Sequence, residues 1–148
     1  MDTASRHLLC EYWECDRSLL DDQAQIELLM KRAAAAADAT VVTSAFHALE
    51  PQGVSGVVVL EESHFSIHTW PEVGYAAVDL FTCGECRPDD GHRLLFEALG
   101  AQRAEVMILA RGQSGETSAI QVVDHDHETA EPRRPLPQTA FAFAGDES

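Results

Sequence analysis

The chain is poor in basic residues. Among its 148 residues, ten are lysine or arginine and 25 are aspartate or glutamate, which gives a formal net charge of −15. Proteins that bind nucleic acid need clustered basic side chains to contact phosphates, so this balance argues against a nucleic-acid partner. It is compatible with a small cationic substrate.

Lysine is almost absent. The single lysine, Lys31, lies in the helix-forming segment ELLMKR among charged neighbours. Enzymes that form an imine through pyridoxal phosphate use a lysine for it, and Lys31 is a poor candidate. If this protein forms an imine with a substrate amine, we therefore expect the protein to supply the carbonyl.

Long apolar runs are also missing. No stretch of about 18 apolar residues is present to cross a bilayer, and residues 1–9 do not have the pattern of a signal peptide. We therefore expect a cytoplasmic protein without a membrane partner. In that compartment the four cysteines are expected to be thiols, ligands or a catalytic group rather than disulfides: Cys10, Cys15, Cys83 and Cys86.

Hydrophobic periodicity predicts the order β-α-β-β-β-β-α-β. A helix is predicted from Asp21 or Asp22 to Ala37, and a second from Pro88 to about Leu99. Hairpin-length links join the middle strands, which predicts an α+β fold: a two-layer sandwich with a mainly antiparallel sheet and two helices on one face. The strands are predicted over 6–13, 40–46, 54–60, 65–69, 75–81 and 106–110.

Residues 1–111 are predicted to form this one domain. Beyond it the pattern decays, with a short edge strand over 120–123 as the last regular element. Three prolines, many acidic residues and no clear period follow from Asp124. We therefore predict a poorly ordered acidic tail over 112–148.

The densest group of reactive residue types is the segment ESHFSIHTWPE over 62–72. Strand alternation places His64, Ser66 and His68 on one face of the sheet. By itself that face is compatible with a zinc site or with a polar sheet surface. Ser55 and Cys83 add a hydroxyl and a thiol on the neighbouring predicted strands.

The segment resembles the processing motif of prokaryotic S-adenosylmethionine decarboxylases, and GYAAVDLFTCG over 74–84 continues the match without a gap. Shorter matches are RHL, CD, TSAFH and GVSGVVV, which begin at residues 6, 15, 43 and 53. The resemblance covers roughly residues 5–111.

In that family the chain cleaves itself, and the resemblance implies cleavage between Glu62 and Ser63 into chains 1–62 and 63–148. It implies that Ser63 becomes the pyruvoyl cofactor, which binds substrate as a Schiff base. By matching position, His68 would be the base in processing. Ser55 would hydrogen-bond the intermediate that precedes the ester.

The resemblance further implies conversion of S-adenosylmethionine to its decarboxylated form for spermidine synthesis, by a homodimer with sites at or near the subunit contact. Cys83 would be the proton donor, and Glu72 would bind the ribose hydroxyls. Trp70 either stacks on the adenine or belongs to the core. Leu49 stands where relatives carry an aromatic residue.

Two alternatives stay open. The same pyruvoyl chemistry would serve another amino acid, such as arginine or ornithine. More distantly, the C-x-x-C pair of Cys83 and Cys86 is compatible with a zinc or redox binding module. One geometric difficulty accompanies the main interpretation: five residues separate Ser63 from His68, so a continuous strand faces them in opposite directions. A bend near Ser63 is the expected solution.

Overall fold

The computed structural model describes residues 3–113, 120–128 and 130–132. The elements follow the predicted order up to residue 111, with one short helix added. They are β1 (Ser5–Trp13), α1 (Arg17–Leu20), α2 (Gln23–Ala36), β2 (Val41–Ala48), β3 (Val54–Leu60), β4 (Ser63–Trp70), β5 (Tyr75–Cys83), α3 (Pro88–Ala98), β6 (Arg103–Arg111), β7 (Ile120–Asp126) and β8 (Ala130–Pro132).

All eight strands form one antiparallel sheet in the order β2-β3-β4-β5-β1-β6-β7-β8. Helices α2 and α3 pack against each other and against the central strands. The predicted α+β fold is thus confirmed. No helix in the described ranges is long and apolar enough to span a membrane.

Sequence alternation decides which face of the sheet carries the core. On β5 every second residue is buried, and its neighbours on the opposite face are half-exposed. The buried residues of the strands join those of α2 and α3 in a single apolar cluster. The other side of the sheet, which we call the open face, carries polar and aromatic side chains instead. The members used below are His7, Trp13, Ser55, His64, Ser66, His68, Trp70, Tyr75, Asp79, Phe81, Cys83, Arg103 and Arg111.

Each helix has a local reason for its start. The side chain of Asp22 accepts a hydrogen bond from the backbone N–H of Gln25 and so caps α2. Pro88 occupies the first turn of α3, where its missing N–H costs nothing. Phe46 packs directly over Gly56, where any Cβ would collide with the ring, so this partly buried aromatic packs against the core.

The ordered sheet continues past the predicted domain end at residue 111. The predicted edge strand over 120–123 is present but runs on to Asp126 as β7, and β8 follows it. The prediction that regular structure is lost from Asp124 is therefore wrong for 124–126 and 130–132. Residues 133–148 of the predicted tail lie outside the described residues.

A buried histidine ties β7 to the domain. His92 Nδ1 lies 2.7 Å from the Tyr12 hydroxyl, and His92 Nε2 lies 2.9 Å from His125 Nδ1. The His125 ring stacks on Phe96 of α3 at 4.2 Å. Burial lowers the pKa of His92 to about 4, because an apolar environment disfavours the imidazolium ion. The two neutral imidazoles thus hold β7 on the helix-covered face.

This burial predicts a loss of stability in acid. The pKa of His92 lies below its ordinary value of 6.5 in the folded chain. The contribution of neutral His92 to the free energy of unfolding is therefore complete above pH 6.5, and it falls at lower pH because the unfolded state takes up the proton first. Between pH 7 and pH 5 the wild type should lose about 2 kcal/mol of unfolding free energy through this group. Denaturant titrations should show a smaller loss in His92→Gln. Equal losses in both proteins would contradict the assignment.

Candidate active site

The Glu62–Ser63 bond lies in the tight turn that joins β3 to β4. Leu60 and Ser63 form the last pair of the hairpin, so only Glu61 and Glu62 make the turn. Glu62 has φ = 63°, a left-handed conformation that costs a residue other than glycine about 1–2 kcal/mol. The peptide bond that the sequence predicts to be cleaved therefore follows a strained residue.

The carbonyl of that bond is already hydrogen-bonded to a thiol. Cys83 Sγ, at the end of β5, lies 3.1 Å from the Glu62 carbonyl oxygen and donates to it. The Ser63 hydroxyl donates to the Glu61 carbonyl at 3.3 Å. A cavity of about 360 Å³ opens beside this group and is lined by Thr3, Ser5, Glu62, Phe81, Cys83, Arg111 and Gly112. We call Glu62, Ser63 and Cys83, together with the other residues that line this cavity, the cleavage cluster.

A second cluster lies at the far end of the same hairpin. Ser55 of β3 is paired with His68 of β4, and Ser55 Oγ lies 2.8 Å from His68 Nδ1. Both residues line a cavity of about 430 Å³ together with Trp70 and Glu72. The structure thus brings together the four residues predicted for processing and substrate binding. We call them the histidine cluster. Leu49 lines the same cavity.

The two clusters do not meet within one chain. β4 runs without interruption from Ser63 to Trp70 and keeps a continuous register with β5. Five residues of strand separate Ser63 from His68 by about 17 Å and turn them to opposite faces. The expected bend near Ser63 is found only in the turn before it, at Glu62. That bend does not bring His68 closer.

Between the clusters, the open face carries a polar network. Asp79 accepts a hydrogen bond from Ser66 Oγ at 3.0 Å and faces His7 Nε2 at 3.6 Å. Contact with His7, reinforced by Ser66, holds the pKa of Asp79 below its usual range, although burial acts in the other direction. Burial and the proximity of His7 lower the pKa of His64. Imidazole and carboxylate are thus arranged side by side on the open face.

An aromatic ladder crosses the same face beside the histidine cluster. The ring of Trp70 stacks on Tyr75 at 5.1 Å, and Tyr75 stacks on Trp13 at 4.3 Å. The guanidinium of Arg103 covers Trp13 at 5.1 Å. Trp70 is 41% exposed, so the core alternative for this residue is wrong and one side of its ring is available to a ligand.

The remaining three cysteines line neither of the two cavities described above. Cys10 and Cys15 are buried, and burial raises the pKa of each thiol to about 12. Cys86 donates to the Asp38 carbonyl at 3.5 Å, whereas Cys83 donates to Glu62. Within 3–113, 120–128 and 130–132, no three side chains of histidine, cysteine, aspartate or glutamate are grouped to hold a metal ion. Nothing in this geometry favours the zinc or redox alternative.

Two parts of the site were not predicted. Arg111 lines the cleavage cavity, and His7 faces Asp79. His7 carries no signal that distinguishes it from an ordinary structural histidine. Arg111 directly follows the last strongly predicted strand, in a chain with few basic residues. The scarcity of basic residues is the one signal that could have pointed to Arg111.

Comparison with known proteins identifies the family. Residues 6–112 match the family model described as S-adenosylmethionine decarboxylase. A strained turn before a serine, with a thiol on its carbonyl, fits a decarboxylase that makes its own cofactor. The chain belongs to the S-adenosylmethionine decarboxylase family, and the predicted decarboxylase activity with a pyruvoyl group formed from a serine is confirmed at the level of that family.

Individual relatives agree with the family model. The S-adenosylmethionine decarboxylase proenzyme of Thermotoga maritima is 53% identical over 117 residues, which cover 78% of this chain and 90% of the relative. The corresponding proenzyme of Fervidobacterium nodosum is 46% identical over 132 residues, covering 88% and 96%. The crystal structure of adenosylmethionine decarboxylase from Aquifex aeolicus matches with a TM-score of 0.70 and 31% identity, covering 80% of this chain and 98% of that one.

The strained conformation of Glu62 predicts the effect of a glycine. Glycine adopts positive φ without penalty, so Glu62→Gly should remove strain that is relieved when the bond is attacked. Cleavage should slow about threefold to tenfold. Glu62→Ala is the matched control, because it also lacks the carboxylate but keeps the Cβ. The cleavage rates of the two variants would be measured on denaturing gels after expression. Equal rates would show that backbone strain does not contribute.

Proposed function

We propose that this chain cleaves its own Glu62–Ser63 bond and then, as a homodimer, decarboxylates S-adenosylmethionine. The observation that carries the proposal is the contact of the Cys83 thiol with the Glu62 carbonyl, next to the serine that the family motif marks for conversion. The product would be the aminopropyl donor used in spermidine synthesis. The predicted cytoplasmic location accords with such a role.

The processing steps follow from the residues present. The Ser63 hydroxyl attacks the Glu62 carbonyl, and the amide becomes an ester with a free amine on residue 63. Cys83 donates to the carbonyl oxygen as it gains negative charge. A histidine then removes the Cα proton of Ser63, the Cβ–Oγ bond breaks and Glu62 leaves as a carboxylate. Hydrolysis of the dehydroalanine releases ammonia and leaves a pyruvoyl group.

The position of Ser63 fits this cofactor. Ser63 is the first residue of β4 and is half-buried beside the Cys83 thiol, so cleavage leaves the new terminus anchored by a strand. When formed, the pyruvoyl group supplies a carbonyl for the substrate amine and an electron sink for the decarboxylation. Cys83 is then placed to return a proton to the former α-carbon. The lack of a suitable lysine agrees with a carbonyl supplied by the chain.

The distance between the clusters supports a second subunit in the site. His68 of the same chain lies about 17 Å from Ser63 along a straight strand, so it is not placed to remove the Cα proton. Two open faces packed against each other would lie about 10 Å apart between sheets. Such a dimer lets the histidine cluster of one subunit face the cleavage cluster of the other. It would also bury the aromatic ladder and the polar network.

Mixed dimers test this arrangement. Ser63→Ala lacks the nucleophile and His68→Ala lacks the base, so neither should be cleaved alone. When both are co-expressed, each mixed dimer has one complete site, made from Ser63 of one chain and His68 of the other. Every His68→Ala chain in a mixed dimer should then be cleaved, which is half of all chains in those dimers.

The matched control for this experiment is co-expression of Ser63→Ala with a double variant that carries both substitutions. That pair contains no chain with Ser63 and should stay intact. An uncleaved mixture of the two single variants, shown by size-exclusion to contain mixed dimers, would contradict a shared site.

The histidine cluster supports a nucleoside substrate. Glu72 and Trp70 line one cavity with His68. A carboxylate there can accept hydrogen bonds from two ribose hydroxyls, and an exposed indole can stack on a purine. Arginine and ornithine offer neither a ribose nor a purine to these residues, which favours S-adenosylmethionine over both.

Glu72→Ala therefore should lower kcat/KM for S-adenosylmethionine about tenfold or more, because a hydrogen bond to a charged group contributes about 1.5–3 kcal/mol. Glu97→Ala, on the outer side of α3, is the control and should retain activity. Carbon dioxide release would be measured with S-adenosylmethionine, arginine and ornithine as separate substrates. Release from a plain amino acid, with none from S-adenosylmethionine, would overturn the substrate assignment.

A further inference from the structure

Arg111 is held on the open face by an aromatic ring and an imidazole. Its guanidinium carbon lies 4.6 Å from the centre of the Phe81 ring, a favourable cation–π distance. Its Nη1 lies 3.3 Å from His7 Nδ1. Since a guanidinium only donates hydrogen bonds, His7 Nδ1 is the acceptor and the ring proton is on Nε2.

That tautomer connects Arg111 to the polar network. His7 Nε2 is buried without a partner at hydrogen-bond distance, and Asp79 Oδ1 faces it at 3.6 Å. Asp79 is held in turn by the Ser66 hydroxyl. Ser66 thus holds Asp79, Asp79 orients the His7 ring, and the His7 ring accepts the hydrogen bond from Arg111. His7 is therefore a positioning residue for Arg111.

In the part of the chain that the structure describes, no carboxylate lies within 4.0 Å of the Arg111 guanidinium. The same holds there for Arg17, Arg32 and Arg103, so it is the position of Arg111 that distinguishes it. This cation lines the cavity that also contains Glu62 and Cys83.

We propose that Arg111 stabilises the carboxylate that Glu62 becomes during self-cleavage. The inference rests on the cleavage proposed above. When the Cα proton of Ser63 is removed, its electron pair forms the Cα=Cβ bond and the Cβ–Oγ bond breaks. The electron pair of that bond stays on the departing oxygen, so a full negative charge appears on the main-chain carboxylate of Glu62. A guanidinium is the side chain best suited to bind it.

The proposal places the effect at one step of processing. Forming the ester creates no lasting negative charge, whereas the elimination does. Loss of Arg111 should therefore leave the first step intact and slow the second, so that the ester accumulates. Ester and precursor have the same mass, but hydroxylamine at neutral pH cleaves the ester and spares the amide.

The test is a time course of wild type, Arg111→Gln, Arg111→Lys and the control Arg93→Gln. Arg93 is an exposed arginine of α3, in the helix layer on the other side of the sheet. At each time the protein is denatured with and without hydroxylamine and analysed by mass spectrometry. We expect Arg111→Gln to form pyruvoyl chain about tenfold more slowly, with hydroxylamine releasing a chain that begins with serine. Arg111→Lys should be intermediate, and Arg93→Gln should match the wild type.

Three results would overturn the role of Arg111. In each of them the proposed function stands as long as the wild type is cleaved. One is cleavage of Arg111→Gln at the wild-type rate. Another is an uncleaved variant without hydroxylamine-sensitive ester, which would indicate a structural effect before the first step. The third is equal slowing in Arg93→Gln. Absence of cleavage in the wild type would instead contradict the proposed function itself.

Discussion

The alternation of side chains along β4 is the constraint on which the rest of the site depends. An uninterrupted strand cannot turn Ser63 and His68 to one face, and it separates them by about 17 Å. The pairing of β4 with both β3 and β5 fixes the strand and prevents a local rearrangement. A single chain thus carries the proposed nucleophile and the proposed base of self-cleavage in two places. The proposed homodimer would bring the two together.

This constraint suggests a reason for the polar and aromatic composition of the open face. Its aromatic ladder and its network of Asp79, His7 and Ser66 are half-exposed in one chain, although such groups are better satisfied away from competing water. Packing two sheets together would exclude water from both cavities. Hydrogen bonds such as that from Cys83 to the Glu62 carbonyl would then act in a lower dielectric, where they stabilise developing charge more strongly.

Much of this could be predicted from the sequence. Periodicity located every strand up to residue 111, because that signal is local. The family motif, which is also local, singled out Ser55, Ser63, His68, Glu72 and Cys83 as candidates, and their roles stay a prediction. The continuation of β7 to Asp126 could not be predicted, since His125 depends on contact with His92, 33 residues away. The placement of Arg111 near the cleaved bond likewise arises from pairing between strands that are distant in the sequence, because β6 pairs with β1 and β1 with β5. The left-handed conformation of Glu62 was missed for a different reason: the turn lacks the glycine or asparagine that usually marks a positive φ.

Self-cleavage is the central claim, and an intact-mass spectrum of the purified, denatured protein tests it most directly. The account predicts two chains, residues 1–62 and residues 63–148, with the second lighter by one ammonia than a chain that begins with serine. Treatment with phenylhydrazine should add one hydrazone to the second chain and none to the first. A single full-length species after long incubation, or a second chain that retains an N-terminal serine, would contradict the account.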